Sequence, residues 1–186
     1  MNFDIARPDV VRAINQRWLL KFWKRQYDSG NVPRWQSVEA ENLTRVAAGL
    51  SFLDIVSTSG APRFQIRSHG DRIARVYGAL DCRGRFLDEV IPVKNHPTGL
   101  APYLQSLRTA LPVYTIHDVR DRNGLLIHFE RLLLPFSQDG NAVDRILASF
   151  EFICPDGAFD DKGLMTSQNT PPTLRLSATI EPAEAA

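Results

Sequence analysis

Cysteine and net charge are what this chain has least of. Its two cysteines, Cys82 and Cys154, lie far apart and form no metal-ligand spacing. Buried thiols in a reducing cytoplasm are the expectation. A formal net charge of +1 supplies no field able to draw in nucleic acid or anionic lipid by itself. No apolar run approaches the length of a membrane span, and the first residues, MNFDIARPDVVRA, lack the basic start and apolar core of a secretory signal. A cytoplasmic protein without a membrane span is therefore expected. The P-loop, the dinucleotide-binding glycine pattern and the nucleophile elbow are missing too, as are internal repeats. What is present is 44% hydrophobic residues in a chain of 186, enough for one domain with a sizeable core and appendages.

The stretch Arg63–Glu89 is the most informative. Phe64 and Ile66 alternate with Gln65 and Arg67, the period of a half-buried strand. Gly70 permits a tight reversal and Asp71 is placed to cap a helix. In that helix Ile73, Val76 and Tyr77 share a face, and Gly78 suits the left-handed position after its end. Arg83-Gly84-Arg85 turns the chain, and Phe86, Leu87 and Val90 begin another apolar face. A strand followed at once by short helices laid across a sheet makes a pocket, a receptor's geometry more than a catalyst's.

Pro8–Tyr27 predicts a long amphipathic helix, with Val11, Ile14, Trp18 and Phe22 on one face and Leu19, Trp23 and Tyr27 on the adjoining one. That band suits either packing on its own domain alone or serving a second subunit as well. Asp28-Ser29-Gly30-Asn31 ends this helix, and Pro33-Arg34-Trp35 leads into a second, from about Val38 to Ala48. Ser51–Thr58 reads as a strand joined to the Phe64 strand by Ser59-Gly60-Ala61-Pro62. Gly99–Leu111 predicts a longer helix that buries Leu100, Tyr103, Leu104 and Leu107, with Pro112 at its end. Three strands follow, Val113–Val119, Leu125–Phe136 and Val143–Ile153, joined by Asp121-Arg122-Asn123-Gly124 and Gln138-Asp139-Gly140-Asn141. Tight turns make the sheet antiparallel, with the helices gathered on one face. From Pro155 onward Pro, Ser, Thr, Ala and Glu dominate, which predicts a loose tail with an extended piece at Leu174–Ile180. The division is thus a helix and lead-in over 1–36, an α+β domain over 37–153 and a tail over 154–186.

Several features in this order resemble the PAS sensory domains, and more narrowly the stand-alone PAS-like proteins of alphaproteobacteria. They are the aromatic helix with Phe22-Trp23, the Pro33-x-Trp35 passage and the FLDIV strand. Phe64-x-x-Arg67-x-x-Gly70, Tyr77-Gly78, Gly84-Arg85, Glu130-Arg131-Leu132-Leu133-Leu134-Pro135 and Asp139-Gly140 complete the set, from about Leu19 to Ile153. The resemblance implies a five-stranded antiparallel sheet of order 2-1-5-4-3 whose helices enclose a small-molecule cavity. It implies a non-catalytic bacterial signalling protein that binds a small molecule and relays the event by protein–protein contact. The alternative within the same fold is a dimerising adaptor whose cavity is filled by its own side chains. A more distant one is a small enzyme with a curved-sheet α+β cavity.

The candidate chemistry is weighed residue by residue. Cys82, in DCRGRFL, lies on the wrong side of the turn to be the adduct-forming thiol of flavin-photosensing PAS domains; alignment on Gly84-Arg85 puts Leu87 there. No histidine occupies an inward position of the long helix, as a haem ligand would, and no metal site is expected; the cofactor is left open. Asp54, Asp118, His117 and His128 could serve an enzyme cavity, but His117 and Asp118 cannot share a face of a regular strand. Arg67 offers a fork for a carboxylate or phosphate beside Tyr77 and Tyr103; the other reading is an ion pair with Glu130 or Asp81. The expected ligand pocket is Ile66, Arg67, Tyr77, Tyr103, Leu107 and Phe129. The expected contact of a homodimer is the helix carrying Val11, Ile14, Trp18 and Phe22, and a further signalling protein is the expected partner.

Overall fold

Leu132-Leu133-Leu134-Pro135-Phe136 has no hydrophobic alternation because both faces of its strand are covered. A computed structural model describes residues 1–28, 31–57, 60–78, 81–168 and 171–181. In it the chain runs β1 (Asp4–Ala6), α1 (Ile14–Gln26), α2 (Gln36–Ala40), β2 (Leu50–Val56), β3 (Arg63–His69) and α3 (Asp71–Val76). It continues through α4 (Leu87–Val90), α5 (His96–Gly99) and α6 (Ala101–Thr109) to β4 (Val113–Arg120), β5 (Leu126–Phe136), β6 (Arg145–Ile153) and β7 (Thr173–Ile180). Among the described residues these strands make one seven-stranded sheet, in the order β1-β7-β4-β5-β6-β2-β3.

This corrects the expected five-stranded sheet. Strands β2 to β6 run in the order β3-β2-β6-β5-β4 from one edge of the sheet, but β7 adds antiparallel to β4, and β1 adds parallel to β7, so the sheet is mixed. The expected loose tail supplies that sixth strand: Ser177, Ala178, Thr179 and Ile180 are buried. Between β6 and β7 the chain crosses the helical side, where Leu164 and Met165 enter the core and the Met165 N–H donates to the Val76 carbonyl at 2.9 Å. The extended piece expected at Leu174–Ile180 is this strand, β7, buried over its second half between β1 and β4.

The helices also lie on both faces, not one. On the outer face Leu19, Leu20, Phe22 and Trp23 of α1 pack with Trp35, Val38, Tyr114, Leu132, Leu134 and Phe136. The Trp23 indole N–H donates to the Pro135 carbonyl at 2.7 Å. Each large side chain so buried contributes ~1.5–3 kcal/mol. On the inner face α3 to α6 pack Ile73, Val76 and Tyr103 on Leu53, Phe64, Phe129, Leu133 and Phe150. Pro135 is tolerated in a central strand because β4 ends opposite Leu133 and asks nothing of the missing N–H.

Element ends shift as well. The predicted helix over Pro8–Tyr27 begins at Ile14, after a single 3-10 turn at Pro8–Val10, and the helix expected to Ala48 stops at Ala40. Leu104, expected in the core, is 43% exposed. The N-terminus of α3 has no side-chain cap from Asp71. Gly70 stands before it because a Cβ there would collide with the carbonyl oxygens of Ala47 and Ala48, and Gly78 follows α3 at φ +85°. Ser29, Gly30, Thr58 and Ser59 of the expected turns and strand lie outside the described residues.

Candidate ligand pocket

Strand β5 alternates Phe129, Arg131 and Leu133 toward the inner helices, so the period that buries the apolar pair also buries a guanidinium. Arg131 is only 4% exposed. Its Nη1 donates to the Gly99 carbonyl at 3.0 Å, its Nε to Thr115 Oγ1 at 3.3 Å and its Nη2 to the Thr98 carbonyl at 3.5 Å. It also lies over the rings of Tyr103 and Phe129, 5.2 and 5.9 Å from their centroids. These partners are neutral. Among the described residues no carboxylate lies within 4.0 Å of this guanidinium. A buried charge is ordinarily paired.

Two small cavities of about 30 Å³ each meet at Arg131, Tyr77 and Ile91. Each holds on the order of two water molecules. The first is polar at one end, where Asn95, Thr98 and His117 join Arg131; Phe129, Met165 and Pro172 form the rest of its wall. The second is mostly apolar, lined by Leu53, Ile66, Ile73, Leu87, Tyr103 and Phe150, with Ser51, His69 and Cys82 also in its wall. In the first, Asn95 Oδ1 and His117 Nδ1 are buried and without a hydrogen-bond partner among the described residues. Burial and then the Arg131 charge push the His117 imidazolium down to about 3, against a weaker pull from Asp118 in the other direction. His117 is therefore neutral near pH 7. Burial likewise raises the phenols of Tyr77 and Tyr103 and the thiol of Cys82. The pocket's working charge is one cation in an apolar surround.

Of the expected pocket residues, Ile66, Tyr77, Tyr103 and Phe129 line these cavities. Leu107 packs against the inner core without lining either one. Arg67 has to be corrected. Its side chain leaves the sheet on the side away from Ile66, is exposed, and binds Asp54 at 3.1 Å. Neither of its expected partners is used: Asp81 pairs with Arg83 at 2.6 Å, and Glu130 accepts from the Tyr114 hydroxyl at 2.5 Å. Of the residues weighed for catalysis, Asp54 faces Arg67, and Asp118 pairs with His128 and Arg175 at 2.9 and 2.6 Å. Only His117 reaches the pocket. No group of three or more His, Cys, Asp or Glu is arranged to hold a metal among the described residues, and none of their helices is long and apolar enough to cross a membrane.

Arg131, His117 and Asn95 are not among the expected pocket residues, His117 entering only as a candidate for an enzyme cavity. Two of them were within reach. Arg131 is two residues from Phe129, hence on the same face, and the hairpin turn at Asp121–Gly124 sets His117 opposite Phe129. Asn95 belongs to a 3-10 turn, Val93–Asn95, with no periodic signal to place it.

The dimer-helix residues separate similarly. Val11 and Phe22 are buried in their own chain's outer core, Trp18 is half-buried, and Ile14 is 68% exposed.

Among curated proteins none matches the chain. The solved structure described as “Flavin Analogue Sheds Light on Light-Oxygen-Voltage Domain Mechanism” is 13% identical, covering 66% of this chain and 87% of that one at a TM-score of 0.44. A family model described as “PAS domain” matches residues 11–151, which is most of the chain and takes in both faces of the sheet from α1 to β6: the protein belongs to the PAS domain family.

Proposed function

We propose that this chain is a non-catalytic sensor that takes a small molecule at Arg131 and passes the event on by contact with another protein. The carrying observation is a buried guanidinium with no carboxylate on it among the described residues, in a cavity also lined by Asn95 and His117, whose buried Oδ1 and Nδ1 have no hydrogen-bond partner among those residues. Unsatisfied groups of this kind each cost ~1–3 kcal/mol. A fold retains two of them beside a buried cation in one cavity more readily when a ligand satisfies them. Membership of the PAS family supports a sensory or signalling role in general terms. Relay by contact is supported by the pocket's walls, because α3, α4 and the short turn before α6 are brief elements.

A second reading is favoured by the size of the cavities. At about 30 Å³ each they are close to filled by Tyr77, Ile91 and Arg131, as suits an adaptor that binds no ligand. Native mass spectrometry of the purified full chain decides between the two. A co-purifying compound lost in Arg131→Met supports the sensor; a bare chain that no compound in a small-molecule thermal-shift screen stabilises supports the adaptor.

A further inference from the structure

A cation set between a cavity that carries further polar side chains and one walled mainly by hydrocarbon specifies a ligand with two unlike ends. Arg131 uses three of its N–H groups on neutral acceptors, one of them at the long distance of 3.5 Å, and keeps others for a ligand. Its carbonyl and hydroxyl partners orient the fork without neutralising it. His117 stands in β4 opposite Phe129 of β5, with Nδ1 lacking a partner among the described residues, and a neutral imidazole can present an N–H there by choice of tautomer. Asn95 presents either its oxygen or its NH₂, since a half-turn of the amide exchanges them. All three side chains are more than nine-tenths buried.

Resting on the sensor reading above, we infer that the ligand is a short-chain aliphatic carboxylate. Its carboxylate lies on Arg131 within reach of His117 and Asn95, and its chain enters the cavity lined by Leu53, Ile66, Ile73 and Phe150. An anion is required because only a negative charge offsets a guanidinium withdrawn from water. A carboxylate matches the planar fork. The chain is short because each cavity admits only on the order of two water-sized groups, and it is aliphatic because the second cavity's walls are mainly hydrocarbon.

The test is a thermal-shift and calorimetric series on the full chain at constant ionic strength. Sodium acetate, propionate and butyrate are compared with acetamide, propionamide and butyramide, and with sodium chloride. The carboxylates should raise the melting temperature, with affinity increasing along the chain, while amides and chloride do not. Arg131→Met should weaken carboxylate binding by ~30-fold or more, as loss of a charge-assisted pair implies. The comparison of acid with amide needs no variant, so it stands even if Arg131→Met does not fold. Equal shifts with acids and amides, or a neutral compound co-purifying in native mass spectrometry, would overturn the carboxylate and leave the sensor reading intact. A chloride shift equal to that of acetate would overturn it in favour of a simple halide site. No shift with any compound, together with a bare purified chain, would overturn both.

Discussion

Glu130 and Arg131 are consecutive in β5 and face opposite sides of the sheet, each buried, each with its own set of partners. Glu130 turns to the outer face, where its Oε2 accepts from the Tyr114 hydroxyl at 2.5 Å. Arg131 turns inward to Gly99 and Thr115. Two opposite charges one residue apart are thus held apart by the strand's period of two and cannot neutralise one another by direct contact. Glu130 ties strands together under α1, where Gln16 also donates to the carbonyls of Glu130 and Ser149. Arg131 is left to the pocket.

Removing the Tyr114 hydroxyl should therefore act on stability rather than on ligand. Tyr114→Phe leaves the Glu130 carboxylate buried with Oε2 unpartnered and should cost ~1–3 kcal/mol. Combining it with Glu130→Leu should cost less than the sum of the two single changes, because no orphaned charge remains. Urea denaturation of the four proteins measures the coupling; strictly additive losses would show that the pair is not an energetic unit.

His117 predicts a definite pH dependence. Its value is 6.5 when unperturbed and about 3 in the fold. Above 6.5 both folded and unfolded states are neutral at this ring, and its contribution is constant. Below 6.5 the unfolded chain takes up a proton that the folded chain refuses, so stability falls with pH by up to ~1.4 kcal/mol per unit from this residue. His117→Gln should flatten the stability curve between about pH 6.5 and 5, a window above most carboxylate titrations. The groups that act on this ring are Arg131, which reinforces the neutral form, and Asp118, which opposes it. Parallel curves for the two proteins would show that the ring is protonated in the fold.

The central succession of strands was legible because β2–β3, β4–β5 and β5–β6 are hairpins, and local turns declare them. The outer helix face was legible in α1's aromatic residues but was divided wrongly between self and partner: nothing in Val11 or Phe22 tells whether the sheet they cover is their own. Leu132-Leu133-Leu134 held the answer, since three consecutive leucines in an antiparallel strand require cover on both sides. Taken from its strand in isolation, Arg67 offers the same fork as Arg131. Its neighbour Ile66 points to the pocket, which by alternation sends Arg67 away from it.

The C-terminal strand supplies a prediction of its own. Strand β7 covers the edge of β4 and is the sole described partner of β1 in the sheet. Ending the chain after Gln168 should strip that edge, release β1 and expose part of Thr115 and Ile116. Slow amide exchange across Leu176–Ile180 in the full chain, and a lowered melting temperature in the shortened one, are expected. Fast exchange there would mean that the strand is not held in solution.

The proposed homodimer through α1 must work with what the outer core leaves over. Leu19, Leu20, Phe22 and Trp23 already cover the sheet of their own chain, so removing the N-terminal segment would bare that face and cause aggregation instead of a clean monomer. A point change is the better probe. Ile14, 68% exposed at the start of α1 and one turn from half-buried Trp18, is the large apolar side chain that the helix keeps in water. Ile14→Glu leaves the buried face untouched and places a charge where a twofold contact would bring two copies of it together. If α1 is the contact, light scattering should show the mass per particle fall from two chains to one while the melting curve at low concentration stays unchanged. Equal masses for the two proteins would rule this helix out as the contact and direct the search to another surface.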